Sequence, residues 1–213
     1  MSILVEIGEA LEKGKRKLVV QYVQQALDEG VAPQTILTEG LLPGMDRVGV
    51  KFRDNEIFVP EVLVAARAMG AGTELLKPLL AEGEGSSLGT AVIGTVKGDL
   101  HDIGKNLVKM MLESKGLTVY DLGVDVPTET FVEKAIEYNA DVICCSALLT
   151  TTMGEMKNVV DAVKARGLDV KVRVGGAPVS KAFCDSIGAD CYTDEAASAA
   201  DEALAFCLAK RQA

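Results

Sequence analysis

His101 is the only histidine in the 213-residue chain, and it stands two residues after Asp99 and directly before Asp102 in the run GTVKGDLHDIG. An imidazole beside a carboxylate is the outline of metal-ligand chemistry. One ring nitrogen binds a metal while the carboxylate accepts a hydrogen bond from the other, which fixes the tautomer and raises the basicity of the ligand. The same residues could instead form a surface pair, or a helix entry with Asp102 as its cap. A lone imidazole makes no tight site for a bare ion, and the chain has no Cys-x-x-Cys or Cys/His zinc spacing. A cofactor that brings its own equatorial nitrogens needs only one axial ligand from the protein, which narrows the field to haem or a corrinoid. A dinucleotide cradle fits less well: Gly94, Gly98 and Gly104 do not form GxGxxG, and two acidic groups oppose a pyrophosphate.

The elements that must position this loop differ between the two halves of the chain. From the start to about Leu80, apolar residues recur at helical spacing, as in Leu41, Met45, Val48 and Phe52, or Val62, Ala66, Met69, Thr73 and Leu76. Breaks at Gly14, at Gly30 to Pro33 and at Asp54-Asn55 predict about four helices and hence a bundle, with Pro43-Gly44 kinking the third helix or marking its start. The small, polar run Ala81 to Gly89 reads as a linker between a helical domain, 1–84, and a second domain, 85–213. Beyond it, TAVIGTV, LTVYDLG, DVICCSALL, VKVRVGG and ADCYT alternate with helical stretches, which predicts a five-stranded parallel Rossmann-like α/β sheet of flavodoxin type. Ligands of such sheets bind outside the carboxyl ends of the strands. The loop of His101, the SALLTTT run and the GGAP run all fall there.

Composition excludes several partners. A formal charge of −9 without a dense Lys/Arg cluster argues against nucleic acid. No apolar run approaches the roughly 18 residues needed to span a bilayer, so a soluble, cytoplasmic protein without membrane contact is expected. Aromatic residues make up 4% of the chain and Trp is absent, so the core must be aliphatic. The five cysteines lack framework spacing and read as core thiols.

The run Asp99-Leu100-His101-Asp102-Ile103-Gly104 resembles the Asp-x-His-x-x-Gly pattern of cobalamin-binding domains, as found in cobalamin-dependent methionine synthase, methylmalonyl-CoA mutase and the small corrinoid proteins. Ser146-Ala147-Leu148 with Thr150, and Gly175-Gly176, are similar to that family's later motifs. The resemblance implies cobalamin or a related corrinoid bound base-off, with His101 as lower cobalt ligand supported by Asp99. Asp102, Ile103, Gly104 and Leu148 would lie about the cofactor. The nucleotide tail would run into a slot lined by Gly175, Gly176, Ala177 and Tyr192, with Ser146 and Thr150 hydrogen-bonding to it or capping the strand end. The stretch Gly44 to Met69 resembles the cap of methionine synthase, which implies that Met45, Phe52 and Val59 face the upper ligand, although Met45 and Val48 also suit a bundle core.

With no catalytic domain beside these two, the resemblance implies a methyl carrier. Its expected partners are a substrate-specific methyltransferase, a second methyltransferase acting on a thiol or folate, and a reductive activation protein. A mutase subunit, a cobalamin-sensing regulator lacking a DNA-binding domain and a flavodoxin-like nucleotide module are the alternatives. A neutral amide in place of Asp99 is expected to disturb cobalt redox balance more than folding.

Overall fold

A computed structural model describes residues 2–80 and 87–211. The chain divides into two compact units, Met1–Ser86 and Ser87–Ala213. Residues 81–86 of the expected linker lie outside the described residues. Its last three residues belong to the second unit and lead into its sheet: Ser87 Oγ donates to the Gly89 carbonyl and accepts from the Thr118 amide, and the Leu88 amide donates to the Gly116 carbonyl.

The described residues of the first unit are helical: α1 (Ile3–Glu12), α2 (Arg16–Asp28), a short α3 (Pro33–Thr35), a π-helical stretch (Ile36–Leu41), α4 (Leu42–Arg53) and α5 (Val59–Leu80). Pro33 starts α3 at its first turn, where the missing N–H costs nothing. Pro43 falls in the first turn of α4 and so marks the start of that helix. The wider turn of the π stretch precedes it, which relieves the clash a proline ring makes with the carbonyl four residues back. Gly44 follows because α1 crosses there, and a Cβ at position 44 would sit 2.8 Å from the Gly8 carbonyl oxygen. The apolar stripes close on one another, with Ile7, Leu11, Val19, Val23, Leu41, Met45, Val48, Val62, Met69 and Leu76 all buried.

The second unit alternates β1 (Thr90–Thr95), α6 (Ile103–Ser114), β2 (Thr118–Asp121), α7 (Thr128–Glu137), β3 (Val142–Ser146), α8 (Gly154–Ala165), β4 (Lys171–Gly175), α9 (Lys181–Ile187) and α10 (Ala196–Arg211). The sheet has four strands rather than five, all parallel, in the order β2-β1-β3-β4. Its topological switch point lies between β1 and β3, where successive connections leave in opposite directions and open a crevice at the carboxyl ends. The segment expected as a fifth strand makes only an isolated bridge, Arg173 to Cys191. Asp190 explains the short ladder: its carboxylate, not a backbone carbonyl, accepts the Val172 amide at 2.8 Å.

All five cysteines are free and buried, and burial pushes the Cys144 thiol up to about 11, as suits packing groups rather than nucleophiles. Among the described residues no helix is long and apolar enough to cross a membrane.

Because Asp190 substitutes for a strand on the open edge of β4, Asp190→Ala should leave the Val172 amide unpaired and cost about 1–2 kcal/mol. Urea denaturation should show an earlier midpoint with an unchanged slope, and amide exchange at Val172 should quicken.

Candidate functional site

The loop after β1 is built around the side chain of Asp99, which is 0% exposed. Its Oδ1 accepts hydrogen bonds from the His101 amide at 3.1 Å and from His101 Nδ1 at 2.7 Å. Its Oδ2 accepts from the Leu148 and Leu149 amides at 2.8 and 3.1 Å, and lies 3.0 Å from the Thr152 hydroxyl. One carboxylate therefore joins the loop after β1 to the loop after β3 across the switch point. Burial alone pushes the Asp99 carboxyl up, but the bonds from His101, Leu148 and Leu149 prevail and hold it well below the usual carboxylate range. The backbone is tied as well: the Asp99 carbonyl accepts from the Asp125 amide at 2.9 Å, the Gly98 amide donates to Asp125 Oδ1 at 2.7 Å, and the Thr95 hydroxyl donates to the His101 carbonyl at 2.8 Å.

An ionised carboxylate only accepts, so Nδ1 of His101 carries the hydrogen it donates to Asp99, and Nε2 is the ring nitrogen that this contact leaves free. The ring is half exposed. The loops that Asp99 ties together also expose apolar side chains that a folded chain normally covers: Ile103 at 84% exposure, Leu100 at 70%, and the part-exposed Val124, Leu148 and Leu149.

A cavity of about 480 Å³ opens along the carboxyl halves of the strands, between β1, β3 and β4 on one side and α6 and the start of α10 on the other. Gly104, Ser146, Gly175, Gly176, Ala177 and Tyr192 line it. Gly176 has φ of +131°, and a Cβ there would lie 1.8 Å from the Ala147 carbonyl oxygen, so only glycine fits.

A B12 binding domain matches residues 89–204, and a second B12 binding domain matches residues 3–77. The chain is 48% identical over 204 residues to the dimethylamine corrinoid protein of Methanosarcina barkeri, covering 94% of this chain and 95% of that one. This chain belongs to the B12-binding corrinoid proteins. Its fold is similar to that of a chain in the methanol:cobalamin methyltransferase complex of Methanosarcina barkeri, with TM-score 0.85, 32% identity, and coverage of 96% of this chain and 79% of that chain. It is also similar to a cobalamin-binding protein of Desulfitobacterium hafniense, with TM-score 0.81, 32% identity, and coverage of 95% and 98%.

Within this corrinoid protein, the expected residues fall into three groups. Asp99 and His101 meet as the spacing suggested, with Ile103 exposed close by in the chain and Leu148, also exposed, brought to Asp99 by its amide, while Gly104, Ser146, Gly175, Gly176, Ala177 and Tyr192 share the cavity. Asp102 does stand at the N-cap of α6, but its side chain makes no cap bond and accepts from the Asn106 side-chain amide at 3.0 Å instead. Thr150 is exposed and does not line the cavity; the hydroxyl that serves Asp99 belongs to Thr152. In the helical unit Phe52 is half-buried and Val59 exposed, whereas Met45 is fully buried and packs as bundle core. Phe58, at 64% exposure, is the more accessible aromatic of that segment. Thr152 carried no sequence signal beyond lying two residues before α8, and its partner is 53 residues away.

Five bonds on one buried carboxylate also correct the expectation that an amide at position 99 would spare the fold. Asn offers one acceptor oxygen and turns an NH₂ toward donors, so Asp99→Asn should destabilise the protein by on the order of 2 kcal/mol. Because the folded-state carboxyl is depressed, its stabilising contribution is complete above the usual carboxylate range and drains away as pH falls below about 4. Thermal melts from pH 7 to pH 3 should therefore show wild type losing more of its midpoint than Asp99→Asn, and parallel losses would refute the assignment.

Proposed function

We propose that this chain carries a methyl group on the cobalt of a bound corrinoid, receiving it from one methyltransferase and yielding it to another. The observation that carries this reading is the imidazole clamped by a buried carboxylate at the switch point, with one nitrogen committed to Asp99 and the other left for a metal. The donor set suits a metal that arrives with its own equatorial ligands. When bound, the corrinoid supplies a cobalt centre that accepts and releases the methyl group.

The residues present fit such a group. Leu100, Ile103, Val124, Leu148 and Leu149 offer an apolar seat of the kind a macrocycle covers. The cavity floor of Gly175, Gly176 and Ala177 allows close approach of backbone to a nucleotide tail, while Ser146 and Tyr192 offer polar groups along it. In this reading His101 would hold the cobalt from below, in place of the cofactor's own base. Asp99 orients the ring and strengthens its donation, and Thr152 with the Leu148 and Leu149 amides holds Asp99 ionised. Phe52 and Val59 of the helical unit shield the upper ligand from water. Met45 takes no part.

Identity to a dimethylamine corrinoid protein favours a methylated amine as the donor class. The likeness to a chain of a methanol:cobalamin methyltransferase complex favours a substrate-specific methyltransferase as the first partner. A second methyltransferase acting on a thiol or folate, and a protein that restores the reduced metal, complete the cycle.

The test is spin resonance of the Co(II) protein loaded with cobalamin whose dimethylbenzimidazole nitrogens are isotopically labelled. Wild type should show axial coupling from an unlabelled nitrogen, and His101→Ala should lose it; coupling to the labelled base in wild type sinks the assignment. Phe52→Ala, loaded with methylcobalamin, should lose the methyl group to light about two to five times faster than wild type, as expected when one side of an apolar shield is opened. An unchanged photolysis rate would remove Phe52 from the upper face.

A further inference from the structure

The cavity contains a side chain that neither ligation nor close backbone approach requires. Arg173, on β4, is only 4% exposed, and its register neighbours Cys144 and Ile93 continue the same row across the sheet and line the same cavity. A buried parallel strand ordinarily places an aliphatic residue at such a position, as it does at Val172 and Val174 on either side. One guanidinium nitrogen, Nη2, donates to the Thr193 hydroxyl. Nε–H has no partner among the described residues, and neither does Oε2 of Glu195, which lines the same cavity. An orphaned donor and an orphaned acceptor in one cavity are costly, and a folded chain retains such groups where something else completes them.

A ligand that completes both must offer an acceptor to Arg173 and a donor to Glu195. A phosphodiester offers acceptors alone and would meet the Glu195 carboxylate, and a methyl-substituted aromatic edge offers neither. A hydroxyl, or a ring nitrogen beside an amino group, offers both. We propose that Arg173 and Glu195 read the lower base of the corrinoid's nucleotide tail, selecting a base edged with a hydroxyl or amino group over one edged only with methyl groups. This rests on the reading of the chain as a corrinoid carrier. Arg173 and Glu195 are thus specificity residues of the slot, remote in role from the His101 ligand.

The experiment titrates the full-length cofactor-free protein with cobinamide, which lacks the tail, and with cobamides bearing dimethylbenzimidazole, hydroxybenzimidazole or adenine. Wild type should bind at least one polar-base form about tenfold more tightly than the dimethyl form, the factor expected when a buried pair is completed instead of left open. Arg173→Met and Glu195→Leu should each abolish that preference while leaving cobinamide affinity unchanged. Arg173→Met should also raise the melting temperature of the cofactor-free protein, because it removes a buried, incompletely paired charge; an arginine serving structure alone would lower it. Equal affinity of wild type for all three bases, or variants that keep its preference, overturns the inference and leaves the carrier reading intact. Uniform weakening toward all four ligands in both variants also overturns it. Failure of wild type to bind any of the four overturns both.

Discussion

The carboxylate of Asp99 is the constraint on which the second unit's working end depends. Parallel sheets leave their loops to diverge at the switch point, and nothing in the strand ladders themselves holds the loop after β1 against the loop after β3. Asp99 does so from a position with no exposed surface, and a buried charge is tolerable only where donors surround it. The two amides at Leu148 and Leu149, the Thr152 hydroxyl and the two donors of His101 meet that requirement. The price of burying the charge is thereby converted into geometry: the loops are pinned, and one imidazole nitrogen is consumed so that the other is defined.

That arrangement makes the imidazole's position a property of tertiary structure rather than of the loop alone. The backbone of the loop is held a second time through Asp125, Gly98 and Thr95, so three connections of the sheet converge on one turn. Rigid placement matters for a carrier, because a methyl group must be offered to a partner in a reproducible direction. The apolar residues left exposed on the same loops have the opposite character, being unsatisfied until something flat and apolar covers them. Preorganised polar contacts and uncovered apolar surface on the same loops together describe a seat for a macrocycle.

The slot follows a different logic. At Gly176 the Ala147 carbonyl lies where a side chain would begin, and the apolar wall is interrupted by the charge of Arg173. Close packing of backbone selects by thickness alone, whereas an unpaired donor and acceptor discriminate by chemistry. Shape and polarity are thus supplied by separate residues.

The sequence by itself determined the helical unit, the alternation of strand and helix in the α/β unit, and the pairing of Asp99 with His101, because periodicity and a two-residue spacing are local properties of the chain. The motif match extended that to the glycines of the slot. What it could not determine were contacts between residues far apart in the chain. Thr152 reaches Asp99 because of where the turn after β3 lands, and Asp102 directs its carboxylate to Asn106 instead of to the helix end. The fifth strand failed although ADCYT has strand composition, since the Asp190 side chain took the donor that a longer ladder would have used. Met45 and Phe52 share one helical stripe in the sequence, yet only the packed bundle decides that Met45 is sealed within it and Phe52 is not. The orphaned atoms of Arg173 and Glu195 became visible only with the fold, because being unpartnered depends on every neighbour at once.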